Sequence, residues 1–263
     1  MKIALLQTKV YNDKERNIEE AYNLSAEAKK EGAEIAMLPE MFICPYENES
    51  FIRFAEEKGG YIYKNLSKIA KENSITLVGG SFPEKEGGRL YNTCFVFDKT
   101  GREIARHRKT HLFDVDIEGG QKFKESDTFS PGDGGTLFEA EGHTFGLAIC
   151  FDIRFAEMFR EMALKGAEAI LVPAAFNMTT GPLHWELTFR MRALDNQLFM
   201  AGCAPARDEK SSYVSYANSL LTDPWGKVLS NAGTEEKVLI CDIDFDQINK
   251  AREQIPIMKE YLG

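Results

Sequence analysis

The chain alternates short apolar runs with segments whose apolar residues recur at helical spacing. Runs rich in Ile, Leu, Val and Ala and bounded by Gly, Pro or charged residues are typical of buried strands. Such runs are Lys2–Gln7, Glu34–Leu38, Ile75–Ser81, Thr93–Phe97, Ile104–Arg108, Thr144–Cys150, Ala169–Val172, Leu198–Cys203, Ser215–Thr222 and Val238–Asp242. Helical spacing appears over Lys14–Glu31, over 155–163 and after Pro182. Many strands with interspersed helices predict a layered α/β or α+β fold.

The strand-like runs after residue 205 follow one another without an intervening helix. Part of the sheet structure is therefore predicted to be antiparallel, which makes the sheets mixed. No repeat, low-complexity linker or change of composition divides the 263 residues. We expect a single domain over residues 1–263.

The charge balance excludes one class of partner. Lys and Arg number 32 against 41 Asp and Glu, so the formal net charge is −9. Nucleic-acid binding needs clustered cations against the phosphates, and we expect no nucleic-acid partner. No apolar run approaches the roughly 18 residues that span a bilayer, so we expect no membrane segment either.

The five cysteines are widely separated in sequence, at positions 44, 94, 150, 203 and 241. They form neither a CxxC pair nor a cluster with histidine, which argues against a metal site. Free thiols are typical of a reducing compartment, and we expect a cytoplasmic protein.

Cys150 lies between a strand-like run and the start of a helical segment. A sharp strand-to-helix turn can project a nucleophile and leaves free backbone N–H groups at the helix start. Those dipoles favour thiolate over thiol. A cysteine in this place can equally be a small buried apolar residue.

A thiol nucleophile needs a base, and none of the four histidines lies in a recognisable protease signature. Glu40 and Lys109 each follow a strand-like run. Either side chain alone could be an ordinary solvated charge at a strand end.

Three separated motifs resolve this choice by resemblance. The chain resembles the nitrilase superfamily of carbon–nitrogen hydrolases in LPEMF, RKTHLFD and AICFDIRF, in that order along the sequence. The resemblance covers essentially the whole chain and places the family's triad on Glu40, Lys109 and Cys150. It implies a four-layer α-β-β-α sandwich whose outer helical layer packs in a homodimer.

Further segments are similar to the ω-amidase branch of that family, namely Pro173–Glu186, Arg192–Gln197, Ala204–Ser219 and Asp223–Gly226. The branch hydrolyses the terminal amide of 2-oxo dicarboxylic acid monoamides such as 2-oxoglutaramate and 2-oxosuccinamate. The resemblance thus implies a cysteine-dependent amidase that works through a thioester and needs no cofactor or metal.

The resemblance also implies a role for each catalytic group. Cys150 attacks the amide carbonyl, Glu40 transfers protons in both half-reactions, and Lys109 with the Phe151 N–H stabilises the oxyanion. Lys109 is also expected to lower the pKa of the thiol. Glu125 is implied as a second carboxylate near Lys109, although a carboxylate in a loop can also be merely solvated.

The substrate's own carboxylate requires a local cation. Arg154 lies four residues after Cys150, and a guanidinium can pair with a carboxylate in bidentate geometry. Tyr46, Phe176 and Thr180 match the branch's pocket. A salt bridge on the helix surface, to Glu157 or Glu161, is the alternative for Arg154.

Two other functions remain open from the sequence. The same mechanism could act on another small amide, such as deaminated glutathione, an N-carbamoyl compound, an aliphatic amide or a nitrile. The fold could also serve as a non-catalytic scaffold. The segment 111–135 has little regular pattern, and its aromatic residues predict ordered packing.

Overall fold

The computed structural model describes residues 1–262. The strands are β1 (Lys2–Gln7), β2 (Ile35–Met37), β3 (Glu56–Glu57), β4 (Thr76–Val78), β5 (Phe82–Glu86), β6 (Arg89–Phe97), β7 (Glu103–Arg108), β8 (Asp114–Asp116), β9 (Lys122–Lys124), β10 (Thr136–Ala140), β11 (His143–Leu147), β12 (Ala169–Pro173), β13 (Phe199–Cys203), β14 (Leu220–Thr222), β15 (Val228–Asn231) and β16 (Lys237–Asp242). The α-helices are α1 (Lys14–Lys30), α2 (Asn48–Phe54), α3 (Tyr61–Asn73), α4 (Ala156–Leu164), α5 (Gly181–Asn196), α6 (Asp246–Gln254) and α7 (Lys259–Leu262). Two short 3₁₀ turns span Glu125–Asp127 and Cys150–Arg154.

The strands form two large mixed sheets. The first sheet has the order β16-β1-β2-β4-β6-β5-β3, with β7 also paired to β6. The second has the order β10-β11-β12-β13-β14-β15, and β8 pairs with β9 in a separate hairpin. Strands β1, β2 and β4 are parallel, as are β11, β12 and β13. Strand β14 pairs antiparallel with β13 and β15, and β16 pairs antiparallel with β1. The predicted mixture of parallel and antiparallel strands is confirmed.

Alternating side chains place the two sheets between layers of helices. On β1, Ile3 and Leu5 join the core that also holds residues of the second sheet, whereas Ala4 and Leu6 join the core under α1 and α3. Successive side chains of a strand point to opposite faces, so the first sheet is covered on both. Helices α4 and α5 cover the second sheet. The layers are thus α-β-β-α, as predicted.

The strand predictions fail where the backbone turns. Ser215 forms only an isolated β-bridge with Asn177. Ala217 and Asn218 have φ angles of 58° and 61°, so the strand is confined to Leu220–Thr222. The run predicted over Thr144–Cys150 ends at Leu147. Left-handed residues interrupt a ladder whatever their apolar character.

The segment 111–135 is ordered, as its aromatic residues predicted. It holds the β8–β9 hairpin and the 3₁₀ turn at Glu125. Phe113 and Phe129 are buried, and the ring centroids of Phe113 and Phe123 lie 6.1 Å apart. This packing carries Glu125 into the interior, where its side chain has no exposed surface.

Within residues 1–262, no helix combines the length and the apolar character that crossing a bilayer requires.

Candidate active site

Four predicted residues meet in one buried group. We call Glu40, Asn92, Lys109, Glu125 and Cys150 the Lys109 cluster. Lys109 Nζ donates to Glu40 Oε1 at 2.8 Å and to Glu125 Oε2 at 2.7 Å. The side chains of these three residues have no exposed surface. The geometry brings two carboxylates to one ammonium group beside a thiol.

Four members, all except Asn92, reach the cluster from the end of an element. Glu40 follows β2, Lys109 follows β7, and Glu125 begins a 3₁₀ turn after β9. Cys150 begins another 3₁₀ turn with φ of 44°, and Met41 beside Glu40 has φ of 50°. A positive φ is uncommon for residues with a Cβ and is often found at functional sites. The sharp turn predicted at Cys150 is present.

Asn92 is a member that sequence reasoning missed. Its Nδ2 donates to Glu40 Oε1 at 2.9 Å and to Glu125 Oε1 at 3.0 Å. Its backbone carbonyl accepts the Lys109 N–H at 2.9 Å. In the sequence, Asn92 is visible only as a polar residue next to the apolar run of β6. The strand register is needed to show that it faces the two carboxylates.

The carboxylate oxygens are used unequally. Glu40 Oε1 accepts from Asn92, from Lys109 and, at 3.3 Å, from the Tyr46 hydroxyl. Glu125 accepts on both oxygens, including the Phe113 N–H at 2.6 Å. Glu40 Oε2 is buried and has no hydrogen-bond partner anywhere in residues 1–262.

The surroundings of Cys150 favour the thiol over the thiolate. Burial and the Glu40 carboxylate raise its pKa well above the usual range, although Lys109 acts to lower it. The Ala175 N–H, which sequence reasoning also missed, donates to Cys150 Sγ at 3.5 Å. Lys109 acts in the expected direction, but desolvation of the charged form outweighs this one nearby cation, so the net pKa is raised.

Two buried carboxyl groups share one ammonium group in this cluster. Burial and Glu40 raise the pKa of Glu125, while Lys109 lowers it. Burial lowers the pKa of Lys109, but the Glu125 and Glu40 carboxylates raise it by more, so the net pKa is raised. Lys109 is therefore a permanent cation.

Asp152 ties the Cys150 turn to the end of β7. Its carboxylate accepts from His107 Nε2 at 3.1 Å, His111 Nδ1 at 2.9 Å, the His111 N–H at 2.8 Å and the Ile149 N–H at 3.0 Å. Burial acts to raise its pKa, but these hydrogen bonds lower it to about 2. The carboxylate is therefore ionised and holds two chain segments together.

A small cavity lies beside Cys150. It has a volume of about 10 Å³ and is lined by Phe113, Cys150, Phe151, Arg154, Ala175, Phe176, Thr180 and Tyr213. The structure therefore brings Arg154, Phe176 and Thr180 to one cavity. On this measure one buried water molecule needs roughly 10–15 Å³, so the cavity has room for about one water.

Tyr46 does not line that cavity. Its hydroxyl contacts Glu40, and Lys109 Nζ lies 3.4 Å from the same oxygen. Its ring stacks on Tyr213 with centroids 4.5 Å apart. Tyr213 donates to the Ala175 carbonyl and forms part of the wall between the cavity and Tyr46.

Arg154 points towards the cavity. Its guanidinium lies 5.2 Å from the Phe176 ring centroid, and one NH₂ group donates to His184 Nδ1 at 3.2 Å. Its Nε is buried and has no partner among residues 1–262. Within the same residues, no ion pair joins Arg154 to Glu157 or Glu161. The guanidinium thus has unused donors at the cavity.

Comparisons with known proteins place this geometry in a family. The carbon-nitrogen hydrolase family model matches residues 2–253. Omega-amidase NIT2 of Mus musculus is 48% identical over 259 residues, which cover 98% of this chain and 94% of that protein. The Homo sapiens omega-amidase NIT2 is 45% identical over the same lengths.

Solved structures agree with the family model. Saccharomyces cerevisiae Nit3, a member of branch 10 of the nitrilase superfamily, has a TM-score of 0.90 at 36% identity, covering 99% of this chain and 96% of that chain. A Glu-to-Gln mutant of the amidase from Nesterenkonia sp. AN1 has a TM-score of 0.78 at 25% identity with both chains fully covered, and shows Michael addition of acrylamide at its active site cysteine. The chain therefore belongs to the carbon–nitrogen hydrolase family of the nitrilase superfamily and is a hydrolase that acts on carbon–nitrogen bonds of linear amides.

Proposed function

We propose that this amidase hydrolyses the terminal amide of a small 2-oxo dicarboxylic acid monoamide, such as 2-oxoglutaramate or 2-oxosuccinamate. The observation that carries the proposal is the position of Cys150, which touches both the Lys109 cluster and the cavity that holds the unused donors of Arg154. The omega-amidases to which the chain is similar support the same substrate class.

The first half-reaction forms a thioester. Because Cys150 rests as a thiol, its proton must leave as Sγ attacks the amide carbonyl carbon. Glu40 Oε2, the carboxylate oxygen without a donor, accepts that proton. Lys109 and the Phe151 N–H, near the start of a helical turn, stabilise the oxyanion.

The tetrahedral intermediate then collapses. Glu40 delivers its proton to the departing nitrogen, the carbon–nitrogen bond breaks, and ammonia leaves. In the second half-reaction, water attacks the thioester, Glu40 takes a proton from the water, and the same proton returns to Sγ as the carbon–sulfur bond breaks. One amide and one water thus give one carboxylic acid and one ammonia, with the enzyme unchanged.

Glu125 and Tyr46 have supporting roles in this proposal. Glu125 accepts three hydrogen bonds, including one from Lys109, and it fixes the ammonium group in place. The Tyr46 hydroxyl donates to Glu40 Oε1. We therefore assign Tyr46 to the orientation of Glu40, rather than to direct contact with the substrate carboxylate.

Arg154 is proposed to hold the carboxylate that lies away from the scissile amide. A guanidinium with unpaired donors in an apolar wall attracts a carboxylate strongly, because little water competes for the same hydrogen bonds. Thr180 can add a hydroxyl donor, and Phe176 closes the apolar side of the cavity.

The first experiment measures ammonia release from 2-oxoglutaramate by the wild-type protein and by Cys150→Ala. We expect turnover by the wild type only. Turnover by both proteins would contradict Cys150 as the nucleophile. No turnover by either would direct the test to deaminated glutathione, N-carbamoyl compounds, aliphatic amides and nitriles, and failure on all of them would favour a scaffold.

A second experiment tests the carboxylate pocket through Arg154→Leu. We expect the KM for 2-oxoglutaramate to rise by about 100-fold or more, because a charge-assisted bidentate pair is lost. Hydrolysis of a neutral aliphatic amide should be unchanged. Arg190→Leu, an exposed arginine on α5, is the matched control. An unchanged KM for the anionic amide would contradict the assignment.

We also propose a cytoplasmic homodimer. On α5, Leu183, Leu187 and Met191 are 75%, 57% and 40% exposed and recur every four residues, which forms an apolar stripe on one helix face. Such a stripe is typical of an interface. We expect a dimer mass by light scattering and a shift towards monomer in Leu187→Glu.

All five cysteines are free and buried, which supports the proposed location in a reducing compartment.

A further inference from the structure

We propose that Asn92 is a positioning residue that selects Glu40 Oε2 as the single proton-carrying oxygen of the two buried carboxylates. The inference rests on the proposed function, since it concerns the proton transfers of the amide hydrolysis. It assigns a role to a residue outside the Glu40, Lys109, Cys150 and Glu125 set.

The geometry of the Asn92 amide carries the first step. A primary amide nitrogen has two hydrogens, and Asn92 Nδ2 directs one to Glu40 Oε1 at 2.9 Å and the other to Glu125 Oε1 at 3.0 Å. Both hydrogens are used, and the residue is 1% exposed. Its Oδ1 has no partner within residues 1–262. The two carboxylates, not the amide oxygen, therefore determine its orientation.

The number of filled oxygens gives the second step. The two carboxylates have four oxygens, and donors reach three of them. Among the described residues, Asn92 is the only donor to Glu125 Oε1, whereas Glu40 Oε1 also has Lys109 and Tyr46. Without Asn92, Glu125 would also have an empty oxygen, and a proton taken from Cys150 could move to either acid.

The backbone fixes this arrangement. The Asn92 carbonyl accepts the Lys109 N–H at 2.9 Å, next to the register pair Thr93 and Arg108 of β6 and β7. The same strand pairing therefore sets both the cation and the amide against the two acids. A proton held on Glu125 would not be in position to reach the leaving nitrogen. An empty oxygen on Glu125 therefore slows catalysis, although every reacting group is still present.

The test is the pH dependence of Asn92→Asp. The introduced carboxyl group can donate one hydrogen bond to a neighbouring carboxylate when it is protonated, whereas its ionised form adds a third negative charge and donates nothing. At pH 8 we expect kcat to fall by about 100-fold, the size of an impaired acid–base step, with KM within about threefold. Activity recovers as the pH is lowered, in contrast to the wild type. Asn92→Leu, which cannot donate at any pH, stays low throughout.

Asn196→Asp is the matched control. Asn196 is also 1% exposed, its Nδ2 donates to the Arg192 carbonyl at 2.9 Å, and its Oδ1 is unpartnered in the described chain, as in Asn92. We expect its pH profile to keep the wild-type shape. Thermal unfolding of each variant shows whether the fold is retained. A wild-type pH profile in Asn92→Asp, or equal losses in Asn92→Asp and Asn92→Leu at every pH, would overturn the proposal.

A second measurement separates this inference from the proposed substrate. The rate of Cys150 alkylation by iodoacetamide reports loss of the thiol proton whatever the natural amide is. We expect Asn92→Asp to alkylate more slowly than wild type at pH 8 and with an altered pH dependence. If 2-oxoglutaramate is not hydrolysed but this shift appears, only the proposed function fails. An unchanged alkylation profile contradicts the role of Asn92.

Discussion

Strands β6 and β7 carry two charge clusters on opposite faces. On one face is the Lys109 cluster. On the other, Arg106 and Arg108 both bond to the buried Glu84 and the exposed Glu86, which we call the Glu84 cluster. Alternation along the strands separates them, because neighbouring residues such as Arg108 and Lys109 point to opposite faces.

The two clusters differ in charge balance. The Glu84 cluster pairs two carboxylates with two guanidinium groups, and Thr93 also donates to Glu84 at 2.8 Å. The Lys109 cluster pairs two carboxylates with one ammonium group and leaves one oxygen empty. A buried acid with all its hydrogen bonds made and its charge neutralised stays ionised. A carboxylate in excess of the cations and an empty carboxylate oxygen favour proton transfer instead. The ratio of carboxylates to cations therefore distinguishes a structural cluster from a reactive one.

The largest effect is expected from Lys109→Met. This change leaves two buried carboxylates without the only cation that bonds to both within residues 1–262, and it removes an oxyanion donor. We expect kcat/KM to fall by at least about 10³-fold and the melting temperature to drop, measured by ammonia release and calorimetry. A loss below tenfold would remove the distinction between the clusters.

Glu125→Gln tests the excess charge itself. The substitution makes the cluster neutral, with Lys109 opposite Glu40 alone, so the pKa of Cys150 should fall and its alkylation near pH 7 should become faster. Hydrolysis should nevertheless slow by about 100-fold, because Lys109 loses the carboxylate that fixes it. The four other cysteines are at most 1% exposed and give a slow background. If alkylation does not become faster, the second carboxylate does not control the thiol.

The sequence could predict which reactive groups come together, but not their hydrogen-bond partners or their pKa values. Glu40, Lys109 and Cys150 each follow a recognisable strand, so strand ends and motif order are enough to bring the three together. Asn92 and the Ala175 N–H depend on strand register and loop packing, which no local pattern encodes. The lowering of the Cys150 pKa by Lys109 was expected from the sequence, but the larger opposing effect of burial was not, because the spacing of motifs does not reveal burial.

The fold was predictable to a similar depth. The alternation of apolar runs indicated mixed sheets and helical layers, and the bounds of β1 and α1 agree with the structure within one residue. Residues 215–219 look like a strand in composition, yet Ala217 and Asn218 adopt positive φ angles that only their surroundings impose. The Asn218 N–H donates to the distant Gly233 carbonyl at 2.8 Å, whereas the Ala217 N–H donates to the nearby Ser215 Oγ at 3.1 Å.

Asp152 is a third kind of buried carboxylate, which is ionised although no Lys or Arg side chain is bonded to it in the described residues. Its pKa is lowered from the usual value of about 3.9 to about 2. The stability it contributes is complete above about pH 5 and is lost as the pH falls through its folded pKa near 2, and the lowered pKa corresponds to roughly 2.5 kcal/mol. We expect Asp152→Asn to be less stable by that amount at pH 7 and to match the wild type near pH 2. Denaturant unfolding at several pH values measures the difference, and a constant difference across this range would contradict the assignment.

The smallest effect is expected in the balanced cluster, from Arg106→Met. Glu84 keeps Arg108 and Thr93 as partners, so its carboxylate remains paired, and the arginine is itself partly exposed. We expect a loss of about 1 kcal/mol in unfolding free energy, at the scale of partly exposed ion pairs, and kcat/KM within about twofold of wild type. Denaturant unfolding and ammonia release on the same preparation measure both quantities. A loss of activity comparable to that of Lys109→Met would mean that the two faces of β7 are coupled and that charge balance alone does not separate structure from chemistry.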